Sequence, residues 1–356
     1  AVDNLNSFTI SATTTATNTV SQGGTADIEF ILPTENTVPI QGTGYGAGVY
    51  NAGVSTTGER AWNSPAAEGA ITFLNSQWSL DNWGEDMVAC RRGGRIFYFD
   101  ADSSITPERS VVISASPSIN NAIKVSPNDR HLISFGTNEF GTGDYNPMLV
   151  RWSDQEDYTN WTPSISSTSG EVVLTGGTEI IGSIRSRNSI HVWTNTAMYT
   201  QQYVGPPFTF NFQQVGTNCG LIAPHAAVDV DGISYWMGED NFYAFDGRVR
   251  NLECTVRRYL YDSFNMVNKD KVFAGVNAEF NEIMWLYPSA NSLEPDSYII
   301  YNYKENHWVY GSSFYSVLAG ERVFDNTLGA GRVSATAPRY IWNNEPSNVY
   351  NGDGKI

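Results

Sequence analysis

Positively charged side chains are scarce in this chain, which has 21 Lys and Arg against 37 Asp and Glu and a net charge of −16. Stable binding to nucleic acid needs clustered Lys and Arg on the phosphates, so the charge balance argues against that function. It argues equally against attraction to anionic lipid. Charged residues of both signs make up only 16% of the chain, well below the roughly 25% of an average soluble domain.

Cysteines and long apolar runs are also few. Cys90, Cys219 and Cys254 are an odd number at wide spacing, which predicts free buried thiols in a protein assembled in a reducing cell rather than a disulfide framework. No run approaches the roughly 18 apolar residues of a membrane span, so we expect none. The start at Ala1 and the end at Ile356 suggest a processed or partly represented longer polypeptide.

Helical periodicity is almost absent, whereas 32 glycines, 13% aromatic residues and many short apolar runs indicate an all-β protein. The clearest unit joins two aromatic strands, Ile233–Met237 and Phe242–Phe245, through a polar turn at residues 238–241. Asp246 and Gly247 follow as a second turn. We interpret this unit as the inner hairpin of one repeat, with its aromatic residues filling the gap to the next repeat.

Similar units recur from residue 78 onward, at steps of 41 to 57 residues between equivalent centres. The six centres are Tyr98, Val150, Tyr199, Tyr243, Ile300 and Ile341. A period of roughly 40–55 residues with about four short strands each is typical of β-propeller blades. We therefore predict a β-propeller-like body of about six degenerate four-stranded units over residues 76–356, continuing beyond Ile356. A β-sandwich is the alternative.

Two segments differ from the repeats. Residues 1–75 are predicted to form an N-terminal arm, with an exposed strand fading into polar sequence at 7–19, a strand at 26–32 and a glycine-rich loop at 42–50. This arm is either disordered or ordered by a neighbouring subunit. One short helix is predicted at 255–264, capped by Thr255 and inserted between two units.

Motifs for catalysis or metal binding are missing or weak. The sequence has no phosphate-binding loop and no G-x-S-x-G elbow. Cys219 precedes His225 by six residues, yet a buried apolar role is the stronger interpretation of such a cysteine. We find no ligand-spaced partner for any of the four histidines and predict no zinc site. Asp229 and Asp231 could meet at Ca²⁺, but an Asp-Gly hairpin turn at Asp231 explains them better.

Carboxylates for glycosidic cleavage could come from a few loops, because such enzymes need an acid and a base about 5–10 Å apart. The candidates are Asp154, Glu156, Asp157, Glu239 and Asp240. Nothing in the sequence selects a pair, and the segment 152–163 lacks the glycine and spacing of a sialidase Asp-box. We interpret them as solvated loop residues and predict no catalytic, cofactor-binding or metal-binding residue and no enzyme activity.

Several stretches resemble structural proteins of tailed-bacteriophage tails, in order along most of residues 78–310. They are WSLDNWGEDMVAC from Trp78, RWSDQEDYTNWTP from Arg151, YVGPPFTFNFQQVGTNCGLIAP from Tyr203, YWMGEDNFYAFDGR from Tyr235 and the strand at 281–287. The family most similar in layout is the nozzle, or tail-hub, protein of short-tailed phages. That resemblance implies a non-enzymatic virion protein, assembled in the host bacterial cytoplasm into a ring of six. It also implies docking to the adaptor and portal and to tail fibres, around a channel for the genome.

The acidic charge fits such a channel, because lumenal carboxylates would repel phosphate and let DNA pass without binding. We expect aromatic loops at 158–161 and 204–212 to make subunit contacts. The candidate residues are Tyr158, Trp161, Val204, Pro206, Pro207, Phe208, Phe210 and Phe212. The same residues could instead cover the core of their own unit. The rival function is a carbohydrate-active or carbohydrate-binding propeller, either a glycosidase or a receptor-binding protein.

Overall fold

The computed structural model describes residues 2–4, 7–8, 77–101, 110–313, 315–319, 328–331 and 340–343, with the backbone alone at 2–4, 7–8, 340, 342 and 343. The chain divides into two units, Ala1–Thr72 and Phe73–Ile356. In the first unit, β1 (Val2–Asn4) and β2 (Ser7–Phe8) form an antiparallel hairpin. The predicted strand at 26–32 and glycine-rich loop at 42–50 lie outside the described residues. The expected domain boundary stays a prediction.

The second unit is built from six antiparallel sheets, each formed by consecutive strands. Sheet 1 contains β3 (Trp78–Trp83), β4 (Asp86–Arg91), β5 (Ile96–Phe99) and β6 (Val111–Val112). Sheet 2 contains β7 (Asn120–Val125), β8 (Leu132–Asn138), β9 (Tyr145–Trp152) and β10 (Gly170–Val173). Sheet 3 contains β11 (Ile180–Arg185), β12 (Ile190–Thr194), β13 (Ala197–Gly205) and β14 (Thr209–Thr217).

The remaining three sheets follow the same pattern. Sheet 4 contains β15 (Ala227–Val230), β16 (Ile233–Met237), β17 (Phe242–Phe245) and β18 (Val249–Leu252). Sheet 5 contains β19 (Phe273–Asn277), β20 (Glu282–Tyr287), β21 (Ser297–Asn302) and β22 (His307–Ser312). Sheet 6 contains β23 (Tyr315–Ala319), β24 (Leu328–Gly331) and β25 (Tyr340–Asn343). Between sheets 4 and 5 lie helix α1 (Arg257–Asp262) and a 3-10 helix (Met266–Lys271).

Contacts between sheets run through their first strands, from β3 to β7, β11, β15, β19 and β23 in turn. Each sheet therefore places its first strand at the centre and its last strand at the periphery, which is the arrangement of a β-propeller. The Gln77 side chain, just before sheet 1, donates a hydrogen bond to the carbonyl of Asp270, just before sheet 5. The prediction of an all-β propeller-like body is confirmed. All six predicted repeat centres lie on the third strand of their sheet.

Side chains cap the inner edge of β7, whose backbone would otherwise present unpaired groups at the centre. The Ser79 hydroxyl donates to the carbonyl of Ile123 at 2.8 Å and accepts its amide hydrogen at 3.1 Å. An Asp81 carboxylate oxygen accepts from the amide of Val125 at 2.8 Å. Arg185 donates to the carbonyl of Val125 at 2.9 Å and to Asp81 at 2.8 Å. Three sheets are thereby tied together around one strand.

Apolar side chains fill the junctions between neighbouring sheets, because a single sheet cannot bury both faces alone. Three buried clusters occupy the junction of sheets 1 and 2, that of sheets 2 and 3, and the junctions joining sheets 3, 4 and 5. In the third cluster, the Trp193 and Trp236 ring centroids lie 5.2 Å apart, and Phe242 lies 4.9 Å from Trp285. The aromatic residues of the β16–β17 unit therefore reach the next sheet, as predicted, and the preceding sheet as well.

Two local predictions are wrong in detail. The hairpin of β16 and β17 is not the inner one, since β15 occupies the centre of sheet 4 and β16 and β17 are its two middle strands. The predicted helix is shorter than residues 255–264. Its N-cap residue is Val256 and no side chain caps it. The chain enters α1 through a turn in which the backbone amide of Arg257 donates to the carbonyl of Cys254. Thr255 therefore does not act as the cap.

Candidate interaction surface

The β13–β14 hairpin extends beyond the rest of sheet 3. Strands β13 and β14 have nine residues each, whereas β12 pairs with β13 only as far as Gln201. From residue 202 to residue 211 the two strands pair only with each other; we call this part the hairpin ribbon. Its tip, residues 204–208, contains a cis peptide bond between Pro206 and Pro207. The sequence predicts a loop at 204–212, whereas β13 continues to Gly205 and β14 begins at Thr209.

The tip of the ribbon presents apolar surface to solvent. Val204 is 53% exposed and Phe208 is 76% exposed, and Pro206 and Pro207 are exposed as well. No charged residue occurs between positions 197 and 217. An uncharged, apolar hairpin tip that extends beyond its sheet is typical of a protein–protein contact surface.

The base of the ribbon rests on sheet 2. Phe210 is buried, with its ring centroid 5.3 Å from that of Trp152 in an edge-to-face contact. It also lies 5.1 Å from the imidazole of His131. Phe212 is half-buried 6.1 Å from Trp152, and the Thr209 hydroxyl donates to the carbonyl of Thr168 at 3.1 Å. Of the predicted contact residues in this segment, Phe210 therefore belongs to the core and the tip residues to the surface.

Tyr158 and Trp161 lie elsewhere, over the junction of sheets 1 and 2. Trp161 is only 3% exposed and donates its indole hydrogen to the carbonyl of Tyr158 at 2.8 Å. The Tyr158 ring stacks on Tyr98 at 4.4 Å and meets Trp83 edge-on at 5.5 Å. These two aromatic residues mostly cover their own body, which was the alternative considered for them.

A groove of about 480 Å³ lies between the ribbon and the outer part of sheet 2. Its apolar lining includes Trp152, Phe208 and Phe212, and its polar lining includes Ser167 and Thr168. Aromatic faces beside hydroxyl groups are features that suit either a peptide segment or a sugar.

A chain of buried polar groups fixes the wall of this groove. The His131 imidazole is fully buried, with Nδ1 hydrogen-bonded to Asp129 and Nε2 lying 2.9 Å from the Thr168 hydroxyl. Asp129 also accepts from the hydroxyl of Ser126. The histidines were predicted to lack a carboxylate partner, and for His131 that is wrong. The pattern Ser126-x-x-Asp129-x-His131, in the turn between β7 and β8, is the sequence feature that could have indicated this hydrogen-bonded pair.

The Thr168 hydroxyl is positioned by this chain but is poorly suited to be a nucleophile. It donates to the Asp154 carboxylate at 2.7 Å and accepts from the backbone amide of Gln155 at 3.0 Å. Although burial raises the pKa of Asp154, hydrogen bonds from Thr168, Gln155 and Ser167 hold it below its usual value. A carboxylate with a lowered pKa is a weak base, so Asp154 accepts the hydrogen bond and leaves the proton on the Thr168 hydroxyl. The arrangement therefore orders residues 154–168 rather than activating an oxygen.

The other sequence candidates for chemistry have structural roles. Burial raises the pKa of the Cys219 thiol to about 11, so it is protonated at neutral pH and unreactive. Asp231 and Gly232 have φ of 54° and 86°, as a two-residue type I′ hairpin requires. Asp229 accepts from the amide of Gly232 at 3.0 Å. The prediction of a turn at Asp231-Gly232 is confirmed.

The five candidate loop carboxylates each have a partner of their own, and they lie in two separate turns, at 154–157 and 239–240. Glu239 pairs with Lys269 at 2.6 Å and Glu156 with Arg130 at 3.7 Å. Asp157 accepts from the amide of Thr159 at 2.8 Å. Within residues 77–343, as far as they are described, no group of three His, Cys, Asp or Glu side chains is placed to hold a metal ion. Neither helix of the described part could cross a membrane.

No family model and no curated protein matches the chain. Among solved structures, one chain of a mitotic checkpoint complex crystal structure is 12% identical, with a TM-score of 0.47, over 74% of this chain and 72% of that one. The CNH domain of AfRom2 is 11% identical, with a TM-score of 0.39, over 76% of this chain and 88% of that one. An extracellular domain of a putative one-component system from B. thetaiotaomicron is 10% identical, with a TM-score of 0.46, over 74% of this chain and 32% of that one. Such distant likenesses concern the fold alone.

Proposed function

We propose that the protein is a structural subunit of a bacteriophage tail, similar to the nozzle or tail-hub proteins of short-tailed phages. It assembles into a ring that surrounds a channel for the genome and docks to the adaptor and to tail fibres. The support from sequence is the ordered resemblance across residues 78–310, which coincides with sheets 1 to 5 of the propeller.

The observation that supports assembly most strongly is the uncharged tip of the hairpin ribbon. Two side chains, Val204 and Phe208, keep more than half of their surface in solvent. Large exposed apolar side chains on a protruding element are costly for a monomer and are typical of the centre of a protein–protein interface.

The net charge of −16 favours a channel through which DNA slides. Carboxylates that face a lumen repel phosphates at short range, and no clustered Lys and Arg are needed. Purified protein should leave the electrophoretic mobility of duplex DNA unchanged at low salt. A lumen lined mainly by Lys and Arg in the assembled particle would contradict this part of the proposal.

The test of the proposed function is the molar mass of the purified protein, measured by light scattering after size exclusion, together with negative-stain images. We expect a multi-subunit species whose images show rings with a central opening. A monomer at every concentration tested would refute the ring.

The groove beside the ribbon favours a second candidate, a carbohydrate-binding protein. Phe208 and Phe212 offer aromatic faces to a sugar ring and Ser167 offers a hydroxyl group, with the buried Trp152 beneath Phe212 as a fluorescent reporter. Titration with host surface polysaccharide should then change tryptophan fluorescence in the native protein and not in a Trp152→Phe variant. A monomer that binds or cleaves such polysaccharide would favour this candidate over the tail subunit.

A further inference from the structure

The first and last sheets of the propeller each have one face that carries exposed apolar side chains. In sheet 1, Val88, Cys90 and Ile96 are buried against sheet 2. On the opposite face of the same sheet, Trp78 is 41% exposed and Leu80 is 52% exposed. Every junction from sheet 1 to sheet 5 contains a buried apolar cluster, and none of those clusters includes a side chain of this second face.

Sheet 6 has the same asymmetry. Leu318 is buried toward sheet 5, where it lies beside Gly275. Val317 and Ile341 are both aligned with Ala330 across the strands and so share the other face, where they are 39% and 77% exposed.

One side chain from each of these two faces borders the same opening. Trp78 of sheet 1 and Val317 of sheet 6 line the same cavity of about 250 Å³, near the point where Gln77 contacts Asp270. We call the space between the two faces, bounded by Trp78, Leu80, Val317 and Ile341, the terminal gap. Its four boundary side chains are apolar. The cavity is also lined by Asp270, Lys271 and Glu294, of which Lys271 and Glu294 form an ion pair at 2.8 Å.

We infer that the terminal gap of one copy receives the tip of the hairpin ribbon of a second copy, which is the contact that builds the ring. This inference rests on the proposed function. A ring requires a heterologous interface, in which two different surfaces of the subunit meet. The described part of the chain has such a pair: an exposed apolar ribbon tip on sheet 3 and an opening bounded by apolar side chains of sheets 1 and 6.

Shape and charge favour this pairing. The tip, residues 204–208, is the part of the ribbon that does not rest on sheet 2, and its exposed side chains Val204, Pro206, Pro207 and Phe208 are all apolar. A narrow two-stranded tip can enter an opening between two sheets. Copies of a protein with a net charge of −16 repel one another, and uncharged patches are where they can approach most closely. Residues 197–217 carry no charge, and neither do the four side chains that bound the gap.

Two variants test the contact, one on each surface. Val204→Ser with Phe208→Ser alters only the ribbon tip, and Leu80→Ser with Val317→Ser alters only the gap. All four side chains are substantially exposed, so each variant should keep the thermal unfolding midpoint of the native protein. Each should weaken self-association in sedimentation velocity by about 30-fold or more, as loss of central interface anchors does.

Matched controls replace exposed apolar residues outside the two surfaces. Val267→Ser on the 3-10 helix matches the tip, and Val309→Ser on sheet 5 matches the gap. Both should assemble like the native protein.

Mixing gives the decisive result. The tip variant retains an intact gap and the gap variant retains an intact ribbon, so an equimolar mixture should form a two-chain complex that grows no further. If the native protein assembles and either variant assembles equally well, the inference is overturned while the proposed ring stands. Loss of assembly in the gap variant alone would indicate that two gaps pair with each other, and this result would also overturn the inference. If the native protein is a monomer, the proposed function itself fails.

Discussion

Two aromatic regions of this protein lie close together in sequence and have different environments. Trp193, Trp236 and Trp285 are fully buried between sheets 3, 4 and 5. Phe208, at the tip of the neighbouring β13–β14 hairpin, is 76% exposed. Composition does not separate the two regions, since both are rich in aromatic and uncharged residues. The difference is the number of sheets that cover each side chain, so the first region stabilises the fold and the second is available to a partner.

Truncation of a buried indole should have the largest effect. Trp236→Ala removes a side chain that contacts Trp193 and Tyr243, and such a cavity costs about 3–5 kcal/mol of unfolding free energy. Phe208→Ala should change that free energy by no more than about 0.5 kcal/mol, because the ring is mostly in solvent. Urea unfolding of both variants measures the contrast. Equal destabilisation would mean that the ribbon tip belongs to the core.

Acid should weaken the same buried junction. Burial lowers the pKa of His191 to about 4, partly opposed by the nearby Asp229 carboxylate. The unfolded state therefore binds a proton between pH 6.5 and 4 that the folded state does not, so stability is constant above pH 6.5 and falls as the pH approaches 4. The loss is up to about 3 kcal/mol for this group.

Urea unfolding at pH 7 and pH 4.5 measures this dependence, with His191→Gln as the comparison. The variant should show a shallower loss between the two pH values than the native protein. His225, whose pKa burial and the nearby Lys124 and Arg92 also lower to about 4, should give a second contribution of the same sign. An unchanged slope in His191→Gln would contradict the assignment.

Smaller effects should distinguish two neighbouring indoles. Trp236 Nε1 donates to the carbonyl of Cys219 at 2.9 Å, whereas Trp193 Nε1 has no hydrogen-bond partner among the described residues. Trp236→Phe leaves a buried carbonyl without that donor, a loss of about 1–3 kcal/mol. Trp193→Phe should cost less, because no hydrogen bond is lost. Thermal unfolding of the two variants compares them directly, and the reverse order would contradict the hydrogen-bond assignment.

The repeat was predictable because third strands carry a strong local signal. Tyr98, Tyr199 and Tyr243 stand in aromatic or apolar runs between polar turns, and this pattern depends only on local sequence. The first strand β7 has a weak sequence signal, because Asn120, Asn121 and Lys124 dilute its apolar pattern. Its polar groups are stabilised by distant partners such as Asp81, which local sequence does not specify.

The candidate surface was only partly predictable. The apolar tip around Phe208 was expected to make contacts, but its extension as a ribbon depends on pairing between β13 and β14 beyond the end of β12. The Asp129–His131 pair was visible as a spacing, although its role depends on Thr168, which lies 37 residues further along the chain. The exposed face of sheet 1 could not be inferred, because the exposure of Leu80 depends on which sheet lies next to it.

The measurement that tests the central claim most directly is sedimentation velocity of the native protein beside the equimolar mixture of the ribbon-tip and terminal-gap variants. The account predicts a multi-subunit native species, monomeric single variants and a two-chain complex in the mixture. A native monomer, or single variants that sediment like the native assembly, would contradict it.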